Sequence, residues 1–518
     1  MKKYIIPVLA LIATGCTKDF ETYNRNPYGA TEAEIARAPQ GGNELVNLQR
    51  MVVPLQENAY QMCFDLAATP FSGYAAQPKF QDDYPIYKPR VGWTNYVFDD
   101  TYSKQLYPPY FILKRQANGD MSKYSFAWAT VLRVAITHWL TDCYGPLPYS
   151  QMEAGKKQVP YDRQSDLYKN MCEDLKAAVN TLKTVDVTDK LYADYDLVYK
   201  GDMRKWVKYA NSLLLRLSIR MSDVNEAEAK EYAQFALQNG VITENADNAQ
   251  IETKDNPAYK MAVDWGDSRA GADIVDYMNA FSDPRREEYF TKVATRNANE
   301  QFFGMRSGIN SVRADIANYS LPKLTKNKPV VWITASEVAF IKAEMALKGW
   351  TFIGDTAENL YKKGIELSFA QHNVLLNNLD NYLNSTATRG DHNDVKQPAY
   401  NATFSSPITV KWENSATDEQ KLAKIITQKW IAMYPYNSHE AWAEWRRTGY
   451  PNLLPPTNNS GGTVSNLTRD RNGKDRGGFR RLPFSTEEIL QNGANRNAAI
   501  GFLGGADTGG TDLWWVRR

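Results

Sequence analysis

Cysteine is scarce. Four occur in 518 residues, at positions 16, 63, 143 and 172, and no two stand at C-x-x-C spacing. That excludes a zinc site built from cysteine pairs. If Cys16 is taken up by a lipid, three remain, an odd number that argues against a disulfide framework while leaving one pair open. Histidine is as rare, with His138, His372, His392 and His439 far apart. The stretch His439-Glu440-Ala441-Trp442-Ala443 begins like H-E-x-x-H, but Ala443 takes the place of the second zinc ligand. There is no G-x-S-x-G and no Walker loop. Glycoside hydrolysis needs only two carboxylates at a set separation, and no pattern marks such a pair among the 59 acidic residues. The expectation is a protein that is not an enzyme, with no metal site and no cofactor; a structural calcium ion in a loop stays open.

Excess charge of one sign is missing too. The formal net charge is +2, and without Lys2 and Lys3 the basic count falls from 61 to 59, equal to the acidic count. A balanced surface has no footprint for nucleic acid or for an anionic membrane. Long hydrophobic runs are absent. The one notable run, Tyr4 to Ala13, is about ten residues, half of the roughly 20 that a spanning helix needs.

That short run follows Lys2 and Lys3 and precedes Ala13-Thr14-Gly15-Cys16, so it has the make-up of a cleaved signal peptide over residues 1–15. A cysteine behind small residues resembles the bacterial lipobox, in which the cysteine is lipidated and becomes the mature N-terminus. The lipobox favours Leu three residues before the cysteine, where this chain has Ala13. Each buried CH₂ of an acyl chain contributes about 0.8 kcal/mol, so two or three chains on Cys16 would hold the protein at a membrane. Thr17-Lys18-Asp19-Phe20-Glu21 looks like the export tag of Bacteroidetes surface lipoproteins. Residues 16–43 read as a lipidated, polar tether.

From about residue 44 onward the texture is helical, and 44–518 reads as one domain. Trp128, Leu132, Ala135 and Trp139 recur at helical spacing, as do Trp206, Ala210, Leu213 and Leu217. Residues 164–183 show the same period. Asn225 and Gly240 bracket a further helix over 225–240. Residues 334–372 hold two helices joined by a turn, with Ala339, Ala343, Ala346 and Gly364 at close-packing positions, in the manner of a tetratricopeptide (TPR) pair. Strand-like runs are short, as in Ile408–Trp412.

Aromatics are plentiful: 31 Tyr, 13 Trp and 19 Phe. Eleven of them, with six prolines, crowd into residues 70–110. A second loop-rich stretch spans about 241–320, and residues 376–418 and 455–480 are rich in Asn, Ser, Gly and Thr. Function concentrates on loops held by a scaffold.

The C-terminal half carries an ordered set of segments: Phe281-Ser282-Asp283-Pro284-Arg285, then Ala335–Glu344 (ASEVAFIKAE), Lys424–Trp430 (KIITQKW), Glu440–Pro451 (EAWAEWRRTGYP), and a tail that reads RRLPFSTEEILQN followed by GGADTGGTDLWW. In that order, and with the leader, they resemble the SusD/RagB-like family of nutrient-binding outer-membrane lipoproteins, in particular the branch with an LWW tail. The resemblance runs from Cys16 to Trp515. It implies a mainly α-helical SusD-like fold, with four TPR-like helix pairs packed against an irregular, loop-rich ligand-binding half. It implies a lipid-anchored place on the outer face of the outer membrane. It also implies delivery of an oligosaccharide to a SusC-like TonB-dependent transporter.

The residues themselves suit such a ligand. A sugar ring offers an apolar face to aromatic side chains, which lose little entropy on burying it, and a hydroxyl rim to Asn, Asp and Arg. Trp93, Asn95, Tyr96, Tyr87 and Tyr84 are the candidates in 74–98, a stretch stiffened by Pro78, Pro85 and Pro89. Trp265 with Asp267 and Arg269 forms a second candidate group, and Tyr319 a third. For each, the alternative is packing beneath its own loop; Trp93 could also open a helix containing Tyr96 and Tyr107. Trp128, Trp139, Trp206, Trp430, Trp442 and Trp445 read as core. Trp514 and Trp515 read as docking the tail, and Arg446 and Arg447 as bonding within the fold. Two other functions stay open: a peptide receptor of a similar transporter pair, and a TPR-type surface scaffold without ligand.

Overall fold

The computed structural model describes residues 40–80, 83–293, 301–309, 316–457 and 478–516. Cys16 and the segment up to residue 39 lie outside the described residues. Among the described residues, the α-helices of nine residues or more are α1 (Gly42–Val52), α2 (Tyr107–Gln116), α3 (Tyr124–Tyr144), α4 (Gln164–Leu182), α5 (Met203–Met221), α6 (Glu226–Asn239), α7 (Ala272–Ala280), α8 (Ala335–Leu347), α9 (Ala357–Gln371), α10 (Asp418–Ala432), α11 (Ser438–Thr448) and α12 (Gly493–Phe502). Strands are few and very short: β1 (Ala75–Ala76), β2 (Ala249–Ile251), β3 (Arg269–Ala270) and β4 (Val330–Ile333).

The helices start where side chains satisfy their free N–H groups. Asp202 caps α5, Asn225 caps α6, Thr334 caps α8 and Thr356 caps α9; Thr417 and Gln420 form a reciprocal capping box on α10. Each such cap contributes about 1 kcal/mol. Gly240, with φ 88°, ends α6 in a conformation that costs a side-chain-bearing residue more.

Consecutive helices pack as pairs: α3 with α4, α5 with α6, α8 with α9, and α10 with α11. The pairs also touch one another, α4 on α5, α5 on α8 and α8 on α10. At Gly364 in α9 a Cβ would come within 2.7 Å of the Phe340 ring, so the α8–α9 contact needs a glycine there. Helix α3 goes further than its periodicity suggests. It is buried on every side from Phe126 to Tyr144 because α1, α2, α4 and α11 surround it.

One continuous apolar cluster extends from Leu45 to Val516. Charged side chains are buried within it. Arg216 on α5 forms a forked pair with Glu337 on α8, at 2.8 Å through both nitrogens. Arg220 bonds Glu440 and Glu444 on α11, and Lys429 on α10 bonds the same two carboxylates at 2.8 and 3.2 Å. Arg447 joins Glu444 to Glu344 at 2.8 and 2.6 Å. The cations beside them hold both Glu440 and Glu444 well below the usual carboxylate range, despite burial. Arg446 donates to the carbonyls of Trp442, Asp142 and Arg480. The tail closes this region: the Trp515 indole donates to Asp142 at 2.9 Å and lies fully buried.

Ile408–Trp412 forms no ladder, contrary to its sequence pattern. Its backbone groups are met singly instead: Tyr361 donates to the Val410 carbonyl at 2.7 Å, Lys424 to that of Lys411 at 2.7 Å, and the Lys411 N–H donates to the Ser385 carbonyl at 2.9 Å.

Candidate functional site

The two loop-rich stretches meet. β1 pairs antiparallel with β3, with Ala75 opposite Ala270 and Ala76 opposite Arg269. The approach depends on small residues: at Gly271 a Cβ would lie 2.5 Å from the Gly73 carbonyl oxygen, and at Gly304 a Cβ would lie 2.5 Å from that of Gly271. Two further segments extend the stack, with Met305 donating to Ala270 at 2.8 Å and Ala270 to Ser320 at 2.9 Å. Chain segments far apart in sequence thereby share one surface.

Trp93 occupies the first turn of the short helix Val91–Tyr96, which continues through wide π-helical turns into α2. Its ring is partly exposed. Tyr84 stacks on it at 6.2 Å and 13°, Phe80 meets it edge-on at 5.4 Å, and the Arg90 guanidinium lies 4.5 Å from its centroid. Arg90 is held there by Asp83 at 2.6 Å. Tyr84 is fully buried, its hydroxyl bonded to Thr94 at 2.7 Å, so it braces Trp93 from the interior. Asn95 uses both ends of its amide on Thr486, at 2.6 and 3.0 Å, and pins the C-terminal segment to this helix. Tyr96 is partly buried, and burial together with Asp100 raises its phenol. Tyr87 is buried in an unusual backbone conformation, φ 60°, with its ring stacked 6.3 Å from Phe479; it lines a narrow cavity of about 40 Å³ with Arg306 and Trp445.

The second group comes next in space. Lys79, adjacent to Phe80, donates to the Trp265 carbonyl and pairs with Asp267 at 2.7 Å. Asp267 is buried and also accepts from Gln61 at 2.7 Å. Trp265 stays partly exposed. Arg269 is spent on backbone carbonyls, those of Ser268 at 2.8 Å and Ile316 at 3.1 Å. Tyr319, the third candidate, is buried and donates to Asp394 at 2.9 Å. Of the nine candidates, Tyr84, Tyr87, Asp267 and Tyr319 are therefore interior supports, while Trp93, Asn95, Tyr96, Trp265 and Arg269 keep part of their surface in solvent.

Beneath Trp265 sits Asp65. It accepts from the Ser268 hydroxyl, and burial pushes its carboxyl up to about 7, with Asp267 acting the same way.

A region that the sequence reading passed over adjoins these groups. The Asp391–Val395 segment, which carries Asp394 against Tyr319, also walls a polar cleft of about 600 Å³ together with Asp276, Asn279, Phe302 and Phe303. His392 bridges into it, 2.8 Å from Asp276. The only signal available in the sequence was the Asn- and Asp-rich composition of the loop. Buried Tyr319 ties the two regions together, packing with Ala76 and Met305 on one side and bonding Asp394 on the other.

The comparisons agree with this architecture. The model of the SusD-like family, described as Susd and RagB outer membrane lipoprotein, matches residues 22–516. The chain belongs to the SusD-like family. A SusD homologue of Bacteroides thetaiotaomicron is 36% identical, with a TM-score of 0.84, over 93% of this chain and 99% of that one. A SusD homologue of Bacteroides ovatus is 34% identical, with a TM-score of 0.83, over 92% and 99%. A chitin-binding SusD homologue of Flavobacterium johnsoniae is 32% identical, with a TM-score of 0.83, over 93% and 99%. No curated protein matches the chain. Family membership carries the mainly helical SusD-like fold and the description as an outer membrane lipoprotein. Among the described residues no helix is long and apolar enough to cross a membrane.

Proposed function

We propose that this protein is a lipid-anchored, surface-exposed receptor that binds an oligosaccharide and passes it to a SusC-like TonB-dependent transporter for uptake, without itself catalysing a reaction. One observation carries the ligand reading. Trp93, partly exposed and braced, is linked to the Trp265 loop through Phe80, which packs on its ring, and the adjacent Lys79, which donates to the Trp265 carbonyl. Trp93 is pre-organised by Tyr84 and Phe80, so stacking a sugar ring on it orders little that was free. The nearby charges are already neutralised in pairs, as in Arg90–Asp83 and Lys79–Asp267, which suits an uncharged glycan. The chitin-binding relative supports the same class of ligand. The anchor rests on Cys16, and the transporter partner on the family.

Calorimetry against neutral oligosaccharides, chitin fragments among them, and against a peptide panel tests the reading. Heat with glycans that Trp93→Ala abolishes is the expected result. Heat with peptides alone turns the protein into a peptide receptor. Silence on both panels, with a transporter still co-purifying, makes it a scaffold. Cys16→Ala is expected to leave the membrane fraction; retention there would refute the anchor.

A further inference from the structure

A separate cavity lies on the helical side of the molecule, bounded by β4, the C-terminal end of α9 and the turn after α10. Its volume is about 230 Å³. That is well above the roughly 10–15 Å³ of such space that one water needs, so the cavity has room for a ligand of monosaccharide size. Its lining includes Lys328, Gln371, His372, Tyr434 and Asn437, with flat apolar walls from Pro329, Val331, Met433 and Pro435.

Two features set it apart. The first is a convergence of buried polar atoms without hydrogen-bond partners: Gln371 Oε1, His372 Nε2 and Tyr434 Oη. Tyr434 is 4% exposed, so solvent does not readily reach its hydroxyl. Buried polar groups are nearly always paired, and three orphans around one cavity call for a common partner. The second is charge. Lys328 is the single charged side chain in the lining, and no carboxylate lines the cavity. Burial works against its ammonium, as does Lys323, and Glu288, the one carboxylate acting on it, is itself paired with Lys323 at 3.3 Å. His372 is pushed down to about 3 by burial, Lys328 and Arg285, so it is a neutral imidazole that offers one donor or one acceptor.

The geometry points to a second ligand site in this cavity, for a single sugar acid whose carboxylate pairs with Lys328 and whose hydroxyls satisfy Gln371, His372 and Tyr434. Water alone could meet the three neutral atoms. Lys328, whose ammonium donates to the Lys323 carbonyl at 3.4 Å, would still face no carboxylate in the lining, and an anion supplies that charge. The apolar walls suit the CH face of the ring. This site is built from elements other than those around Trp93, so the two are separable.

The test is titration of the purified protein with sodium glucuronate, with glucose and inorganic phosphate as controls, followed by calorimetry and by saturation-transfer NMR. Saturable glucuronate binding, at least tenfold tighter than glucose or phosphate, is expected. Lys328→Met should weaken it at least tenfold, and Tyr434→Phe and Gln371→Leu severalfold each, while Trp93→Ala leaves it unchanged. Equal binding of glucose or phosphate, or glucuronate binding that survives Lys328→Met, overturns the proposal. Loss of glucuronate binding in Trp93→Ala assigns that ligand to the other face and overturns it as well. If Lys328→Met does not fold, crystals soaked in glucuronate decide: density for the sugar against Lys328 supports the site, and ordered water alone refutes it.

Discussion

The helical half and the loop-rich half use charge and aromatic rings in opposite ways. In the helical half Arg216, Arg220, Lys429 and Arg447 are buried and matched by Glu337, Glu344, Glu440 and Glu444, and the tryptophans Trp128, Trp206 and Trp442 are fully buried. Around the loop tryptophans the pairs reach the surface, as in Arg90–Asp83, where the arginine side chain is 56% exposed, and Trp93 and Trp265 keep surface in solvent. The same residue types thus lock one half and equip the other. What separates them is whether charge and ring are enclosed by the protein or left at its surface.

The strongest way to break this contrast is to unbalance the locked half. Glu444→Gln leaves Arg220, Lys429 and Arg447 sharing less negative charge in a buried setting. A loss of about 3–5 kcal/mol in unfolding free energy is expected by urea titration. A loss below about 1 kcal/mol would mean that the network is solvated and the contrast false. Trp93→Ala should do the reverse. Glycan affinity falls at least tenfold, about 1.4 kcal/mol, while the midpoint of thermal unfolding moves by only a few degrees. A collapse of stability in this variant would make Trp93 a core residue.

Acidity separates the halves by sign. His138 and His439 in the helical half are pushed down to about 3 by burial. Between that value and the ordinary 6.5 the unfolded chain takes protons that the native state refuses, so stability falls as pH drops through this window. Asp65 beneath the Trp265 loop is pushed up to about 7. From an ordinary value of about 3.9 to 7 the native state holds a proton that the unfolded chain has lost, so this contribution is complete at low pH and disappears as pH rises. Asp65→Asn should therefore flatten the decline in melting temperature between about pH 4 and pH 7, and His439→Gln should flatten the acid limb. Parallel curves for wild type and Asp65→Asn would show that Asp65 titrates normally. The smallest effect belongs to Arg90→Ala, which removes an exposed ion pair and a cation–π contact and should cost less than about 1 kcal/mol.

The helices were legible because their apolar residues repeat over many turns, and a mistake at one position cannot hide that period. The inward roles of Arg446 and Arg447 were legible for a related reason: both lie in a helical segment already packed with tryptophan. The β1–β3 ladder was not, because two-residue strands carry no alternation to read. Tyr84 and Tyr319 looked like Trp93 in sequence, yet both are buried, since only tertiary pairing decides which ring in a Pro-rich stretch faces inward. The polar cleft at Asp391–Val395 was hidden for the same reason, as its opposite wall comes from residues 276–287 and 301–304.

The placement of Trp515 makes the last few residues part of the interior. Its indole fills the space beside Asp142, near the C-terminal end of α3. A chain cut short of Leu513 would keep every helix pair and still carry a hole there, so trimming a handful of terminal residues should cost as much as emptying a core position.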